Sequence, residues 1–141
     1  MNHAGDLEWI NDYVGVPYVV NGRDRNGWDC WGLVLAVYRD RLGVELPDWR
    51  RPEPFGLVAQ VRAFGEAWRD VQAGAQAIEL TTPEPLAIAL VARTAGAPHH
   101  VGVVAGRGVL HCAAVYGGTV WDTTGRFLKS YSGVSWWRWR R

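Results

Sequence analysis

Long apolar runs are missing from this 141-residue chain. None approaches the ~20 residues that a membrane-spanning helix requires, so membrane insertion is not expected. A charge excess is missing too, because 15 basic residues against 14 acidic ones leave a net charge of +1. That balance removes the general electrostatic reason to expect nucleic acid as a partner. Cysteine is scarce. Cys30 and Cys112 could close one disulfide but make no disulfide framework, and reduced thiols are the expectation. No internal repeat and no low-complexity segment is found. The N-terminus, MNHAGDLEWINDY, lacks the basic start and the apolar segment of a signal peptide, so synthesis in the cytoplasm without such a peptide is expected.

An apolar fraction of 48% and a charged fraction of 21% are those of a globular protein. The length suits one domain over residues 1–141, with enough material for a real core. Nine tryptophans exceed what packing alone needs in a chain this size, so some of them are expected to face a ligand or another subunit.

The chain reads as helices first and strands afterwards. Residues 5–14 carry Leu7, Ile10 and Val14 at helical spacing. Gly15, Pro17 and Gly22 then open a loop that ends at Asn26-Gly27. From Asp29 to Leu42 the apolar stripe Leu33, Val34, Val37 and Tyr38 predicts a helix, with Asp29 as its N-cap and Gly43 as its stop. Residues 44–54 form a proline-rich connection. Residues 55–70 suggest a second amphipathic helix with Leu57, Val61, Phe64 and Trp68 on one face. Beyond Gly74, the segments AIEL, LAIALVAR, HVGVVA, GVLHCAAV and GTVW are short, β-rich and separated by Gly, Pro or Thr. They predict an antiparallel sheet, which GVSWWRWRR can close as a last strand. The class is α+β.

Cys30 falls in the first turn of the helix that Asp29 caps. There, unpaired N–H groups and the positive end of the helix dipole favour a thiolate, and the same N–H groups could hold an oxyanion. The plain alternative is a small buried residue on a helix. A thiolate nucleophile wants an imidazole, and the chain has four histidines. His3 lies in the terminus, His99 and His100 open one strand, and His111 sits in the next, across the turn AGRGVL. One of the pair and His111 would meet if their faces coincide, giving a nucleophile, a base and a base-orienting group. Strand parity leaves the choice between His99 and His100 open. Cys112 follows His111 directly, so it points to the opposite face and reads as a core residue. The same opposition, and the lack of a Cys-x-x-Cys spacing, argue against a zinc site; no metal is expected.

With those residues in view, the segment PYVVNGRDRNGWDCWGLV resembles the nucleophile segment of the NlpC/P60 cysteine peptidases, a Pro-Tyr, a glycine-containing loop and an Asp-Cys opening a helix. HHVGVVAGRGVLHCA similarly resembles the family's histidine segment. The resemblance implies a papain-like fold, with N-terminal helices and a nucleophile at a helix start packed on an antiparallel sheet. It implies Cys30 as nucleophile, His100 as general base because it directly precedes Val-Gly, and His111 as orienting residue. Tyr18 would stand near the thiol, and Asp29 would correspond to an acidic residue that can recognise the free amine of a short stem peptide. The substrate implied is the peptide stem of peptidoglycan, cut between D-γ-glutamate and the diamino acid, without a cofactor.

There are departures from the family pattern. Trp31 stands where many bacterial members have serine, and the usual Gly-Asp at the first strand is replaced by EPLAIALVA. Residues 44–85 have no counterpart in the resemblance. A bulky aromatic after the cysteine is more like members from phage and prophage tail clusters, which implies a product of the bacterial cytoplasm incorporated into a tail, with other tail proteins as partners. Two rivals follow. A tail component could keep the fold as a structural part, with its cleft closed by Trp31 or by neighbouring subunits. An amidase or acyltransferase could use the same triad on a lipid or a small amide; an apolar tunnel would favour the lipid, a polar open groove the stem peptide. The closing WWRWRR reads as a last strand or a docking surface ahead of a nucleic-acid contact, with Trp136 on the sheet and Arg138 and Arg140 solvated.

Overall fold

A computed structural model describes residues 7–50, 57–94 and 97–140. The first helical stretch is shorter than expected. Residues 7–12 are helical, mostly a 3-10 turn at Trp9–Asp12, and residues 5 and 6 lie outside the described part. Its glycine-bearing sequel contains a small hairpin, β1 (Arg23–Asp24) against β2 (Gly27–Trp28), that the sequence pattern did not announce.

Helix α1 runs over Cys30–Leu42, as the caps dictate. Asp29 is extended, and its side chain accepts the Gly32 N–H. At the other end Gly43 is left-handed at φ 66°, and the N–H groups of Gly43 and Val44 return to the carbonyls of Arg39 and Tyr38. Helix α2 spans Leu57–Ala73; residues 55 and 56 of the expected helix, and the Leu57 side chain, lie outside the described part.

The strands follow as β3 (Ala77–Leu80), β4 (Ile88–Val91), β5 (His100–Ala105), β6 (Gly108–Ala113), β7 (Gly118–Thr123) and β8 (Val134–Trp139). They form one antiparallel sheet in the order β3-β8-β4-β5-β6-β7. Between β7 and β8 lies a third helix, α3 (Thr124–Ser130), where the sequence reading had none. The β7 edge is covered by the loop before β1, because Gly15 and Val16 exchange backbone bonds with Thr119.

The two faces of the sheet are covered differently. Alternation puts Ile88, Leu90, Val101, Val103, Leu110, Cys112, Trp137 and Trp139 on the face that meets α1, in one core cluster with Leu33, Val34 and Val37. Each of those three helix residues is fully buried, worth roughly 1.5–3 kcal/mol of transfer free energy. The opposite face carries a small cluster of Ala89, Val91, Val109 and Phe127, flanked by Tyr131 and Trp136. Trp137 and Trp139 are thus the tail tryptophans buried on the α1 side of the sheet, Trp137 edge-on to Trp68 of α2, while Trp136 packs, half-buried, on the other side. Arg138 is exposed but paired with Glu84 at 2.6 Å, and Arg140 donates to the Ala75 carbonyl. No helix among the described residues is long and apolar enough to cross a membrane.

Candidate active site

Asp29 sets the start of α1 and so the place of Cys30. Its Oδ1 accepts from Gly32 N–H at 2.8 Å and from Arg23 Nη1 at 2.9 Å, and its Oδ2 accepts from Asn21 N–H at 2.8 Å. Only 1% of the residue is exposed. A carboxylate so buried has to be given donors of this kind. The same Arg23 guanidinium donates to Asp48 at 2.7 Å and to the Trp49 carbonyl at 2.6 Å, which ties the loop before α1 to the connection after it. Gly32 has no room for a side chain: a Cβ there would lie 2.5 Å from the Gly22 carbonyl oxygen and 2.8 Å from Trp28 Cβ. The helix start is therefore pressed onto the loop. Cys30 sits in its first turn, nearly buried, where the helix dipole favours an anionic sulfur.

His100 and His111 meet on one face of the sheet. The register pairs Gly102 with His111, so His100, two residues before Gly102, is His111's diagonal neighbour. Gly102 leaves the gap they need, since a Cβ there would be 3.0 Å from His111 Cβ and 2.8 Å from Val109 Cγ1. His100 Nε2 and His111 Nδ1 are 3.0 Å apart. His111 Nε2 lies 2.8 Å from Asp122 Oδ2, on β7. A carboxylate only accepts, so the proton of neutral His111 is on Nε2 and its Nδ1 is an acceptor. His100 Nε2–H must then donate to it, which leaves Nδ1 as the basic nitrogen of His100.

Burial lowers the His111 pKa below its ordinary 6.5, and Asp122, through its hydrogen bond and charge, pulls the other way. His111 is fully buried among ring edges, with Phe127 at 4.9 Å, Tyr116 at 5.6 Å and Tyr131 at 5.8 Å. The Tyr131 ring stacks on His100 at 4.9 Å and 26°. Burial and then the neighbouring Tyr116 hydroxyl raise the pKa of the Tyr131 hydroxyl, with smaller contributions from Asp122 and Cys30. Cys30 thus lies within electrostatic reach of the ring that stacks on His100.

His99 faces away from this pair. Together with Asp29, Cys30, Trp31, Trp49, Phe64 and other residues it lines a cleft of about 360 Å³. Burial, and to a lesser degree Arg93, lower the His99 pKa. Trp31 does not plug the cleft. Its indole N–H donates to the Pro47 carbonyl at 2.8 Å and its ring stacks on Trp49 at 4.7 Å, so it forms a wall. Tyr18 is half-buried and outside that wall; it bridges Trp28, and its N–H donates to the Gly117 carbonyl. Cys112 is fully buried on the α1 face and its thiol donates to the Trp28 carbonyl at 3.3 Å. Burial pushes its pKa up to about 11. His3 lies outside the described residues. No group of three or more His, Cys, Asp or Glu among the described residues is arranged to hold a metal ion.

The sequence reading missed Asp122, Phe127 and Tyr131. Asp122 was hidden because only the β6–β7 register, with Val109 opposite Asp122, sets it diagonal to His111. Phe127 and Tyr131 stand four residues apart, a helical spacing too brief to be read as an element.

Comparison with known proteins gives a family and a fold. Residues 15–134 match the family model described as NlpC/P60 family. Protein P54 of Enterococcus faecium is 34% identical over 53 residues, which are 38% of this chain and 10% of that protein. The probable endopeptidase NlpC of Escherichia coli is 39% identical over 44 residues, 31% of this chain and 29% of that one. The matched stretches thus span less than a third of either relative. Among solved structures, the NlpC/P60 domain of the peptidoglycan hydrolase SagA superposes with a TM-score of 0.60 at 19% identity, covering 96% of this chain and 98% of that one. That likeness bears on the fold, which is the papain-like α+β arrangement of helices on a six-stranded antiparallel sheet. With its helix-borne Cys30 and histidine strands lying inside the matched span, this chain belongs to the NlpC/P60 family.

Proposed function

We propose that the chain is a cysteine endopeptidase acting on peptidoglycan stem peptides. In this reading Cys30 is the nucleophile, His100 the general base and His111 the group that orients it. The observation that carries the reading is the directed chain of contacts from His100 through His111 to Asp122, which leaves His100 one basic nitrogen. His100 Nδ1 takes the Cys30 proton, and the thiolate attacks the amide carbonyl. Backbone N–H groups at the start of α1 hold the oxyanion. His100 then protonates the leaving amine, and water activated by the same histidine releases the acyl-enzyme. No metal or organic cofactor enters any step.

The bond proposed is that between D-γ-glutamate and the diamino acid, as in the family that the sequence resembles; the names of SagA and NlpC, a peptidoglycan hydrolase and a probable endopeptidase, support the substrate class. Asp29 and Trp31 are assigned to the substrate cleft and Tyr18 to its border on the Trp28 side. Residues 1–141 are read as one catalytic domain. We further place it among tail-associated hydrolases of phages or phage-like particles, from the aromatic residue that follows Cys30. The competing reading, a structural tail component with little activity, would have the cleft closed by Trp31 or by neighbouring subunits; against the first, Trp31 stacks on Trp49 in the cleft wall.

Purified protein and its Cys30→Ala variant, incubated with peptidoglycan sacculi, test this by mass spectrometry of the released fragments. Stem fragments split after D-glutamate are expected from the wild type only. Release of nothing by the wild type, with Cys30 inert to alkylation at pH 6, would turn the assignment to the structural role.

A further inference from the structure

The 3.0 Å contact between His100 Nε2 and His111 Nδ1 fixes one nitrogen of the base, but not the plane of its ring. An imidazole turns about its Cβ–Cγ bond, a soft torsion between sp³ and sp² carbons. Nδ1 lies farther from that axis than Nε2, so a contact at Nε2 leaves Nδ1 the wider swing. In the peptidase reading Nδ1 is the nitrogen that takes the proton. Its place therefore depends on what holds the ring plane.

Tyr131 lies along that plane, its ring stacked on His100 at 4.9 Å and 26°. The two imidazoles stand at 76° to each other, and the Tyr131 ring crosses His111 at 85°, 5.8 Å away. One phenol ring is thus nearly parallel to the first imidazole and nearly perpendicular to the second. Tyr131 is itself fixed on both sides. Its N–H closes α3 on the Phe127 carbonyl at 3.0 Å. Two residues on, Gly133 is left-handed at φ 73°, and its carbonyl accepts the Ala92 N–H at 2.9 Å, which ties the turn to the chain just after β4. The Phe127 ring also lies roughly parallel to His100, at 6.4 Å and 27°, but it is fully buried in the cluster between α3 and the sheet. Tyr131 is half-buried, so of the two it is the ring that can be removed without emptying a core.

We propose that Tyr131 is a positioning residue, whose ring sets the plane of the His100 imidazole and so the direction from which Nδ1 meets the Cys30 proton. The proposal rests on the peptidase reading, which supplies the proton transfer that the plane serves. Misalignment of a base is felt in the chemical step, because proton transfer needs hydrogen-bond geometry, whereas substrate binding does not run through the plane of His100. A stack is made by ring faces and not by the hydroxyl, so phenylalanine at position 131 serves equally.

Two variants and two readouts test the proposal. Tyr131→Leu keeps an apolar side chain and removes the ring, whereas Tyr131→Phe keeps the ring. On peptides of the form L-Ala-γ-D-Glu-diamino acid, Tyr131→Leu should lower kcat about tenfold with KM unchanged, and Tyr131→Phe should stay within about twofold of the wild type. The second readout is nitrogen-15 NMR of the histidine rings in the Cys30→Ala protein at pH 8, where the imidazoles are neutral. His100, assigned by the signals that His100→Gln removes, should show a protonated Nε2 and an unprotonated Nδ1. Adding Tyr131→Leu should draw the two shifts towards each other as the ring swings and its tautomers mix. Unchanged kcat in Tyr131→Leu overturns the proposal, and so does a loss that falls on KM or one that Tyr131→Phe shares. The NMR readout needs no turnover. Converging shifts in Tyr131→Leu with no cleavage by the wild type would sink the peptidase and leave the ring assignment standing. Cleavage by the wild type, with kcat and shifts unmoved in Tyr131→Leu, would do the opposite.

Discussion

The proton on His111 gives the contacts their direction. Because Asp122 can only accept, His111 must donate from Nε2 and accept at Nδ1, and the basic nitrogen of His100 is thereby its Nδ1. Asp122→Asn should lower kcat/KM by about 10- to 100-fold with little change in KM, because an orienting partner acts on the base and not on substrate binding. It should also move the acid limb of the pH profile to lower pH, since the charge that holds the His111 pKa up against burial is gone. A steady-state pH series on the variant measures both effects; an unshifted limb would reduce Asp122 to a packing role. The two thiols should differ as sharply. Cys112, with its pKa pushed up to about 11, remains a thiol at pH 6, whereas Cys30 occupies a helix start. Iodoacetamide at pH 6 should label one site per chain, located at Cys30 by peptide mapping.

At the scale of elements, the strand pair β5–β6 and helix α3 hold the imidazoles from opposite sides. Gly102 is the residue on which the pair depends, since its missing side chain is what lets His100 and His111 approach across two strands. Gly102→Ala should cost about 1–3 kcal/mol in a urea titration by overpacking against Val109 and His111, and should lower kcat with little effect on KM. A variant with unaltered kcat would show that the strands yield without moving the rings. Much at this scale was legible in the sequence. The cap residues Asp29 and Gly43 framed α1, and the glycines of AGRGVL placed β5 beside β6, because local chemistry determines caps and tight turns. The α3 helix was not legible. Seven residues give too few turns for periodicity to show, and Thr123, whose side chain caps it through the Arg126 N–H, looks like any loop threonine.

For the whole molecule, the buried histidine makes stability depend on pH in a definite direction. The folded-state pKa of His111 lies below its ordinary 6.5, so the unfolded chain takes up this proton first as pH falls. The stabilisation is therefore fully present above about pH 6.5 and is lost as pH drops through the folded value, with a slope of at most about 1.4 kcal/mol per pH unit for one proton. There is also a structural reason: a proton on Nδ1 would set two donors against each other across the 3.0 Å contact with His100. Urea midpoints at pH 7.5 and 5.5 should fall more for the wild type than for His111→Asn, with His99 contributing in the same direction to both. Equal losses would place the acid sensitivity elsewhere.

The amino-acid sequence by itself determined the helix-then-strand order, the first-turn position of Cys30 and the neighbouring strands that carry His100 and His111. Caps, turn glycines and alternation act over a few residues, so they can be read without knowing what lies far along the chain. Only the tertiary structure decided between His99 and His100 as His111's partner, recruited Asp122, and set Trp31, Trp49 and Phe64 beside Cys30 as an aromatic wall. Those outcomes depend on strand register and on a single guanidinium, Arg23, bonded to residues six and 25 positions away, and no local pattern encodes a contact of that range.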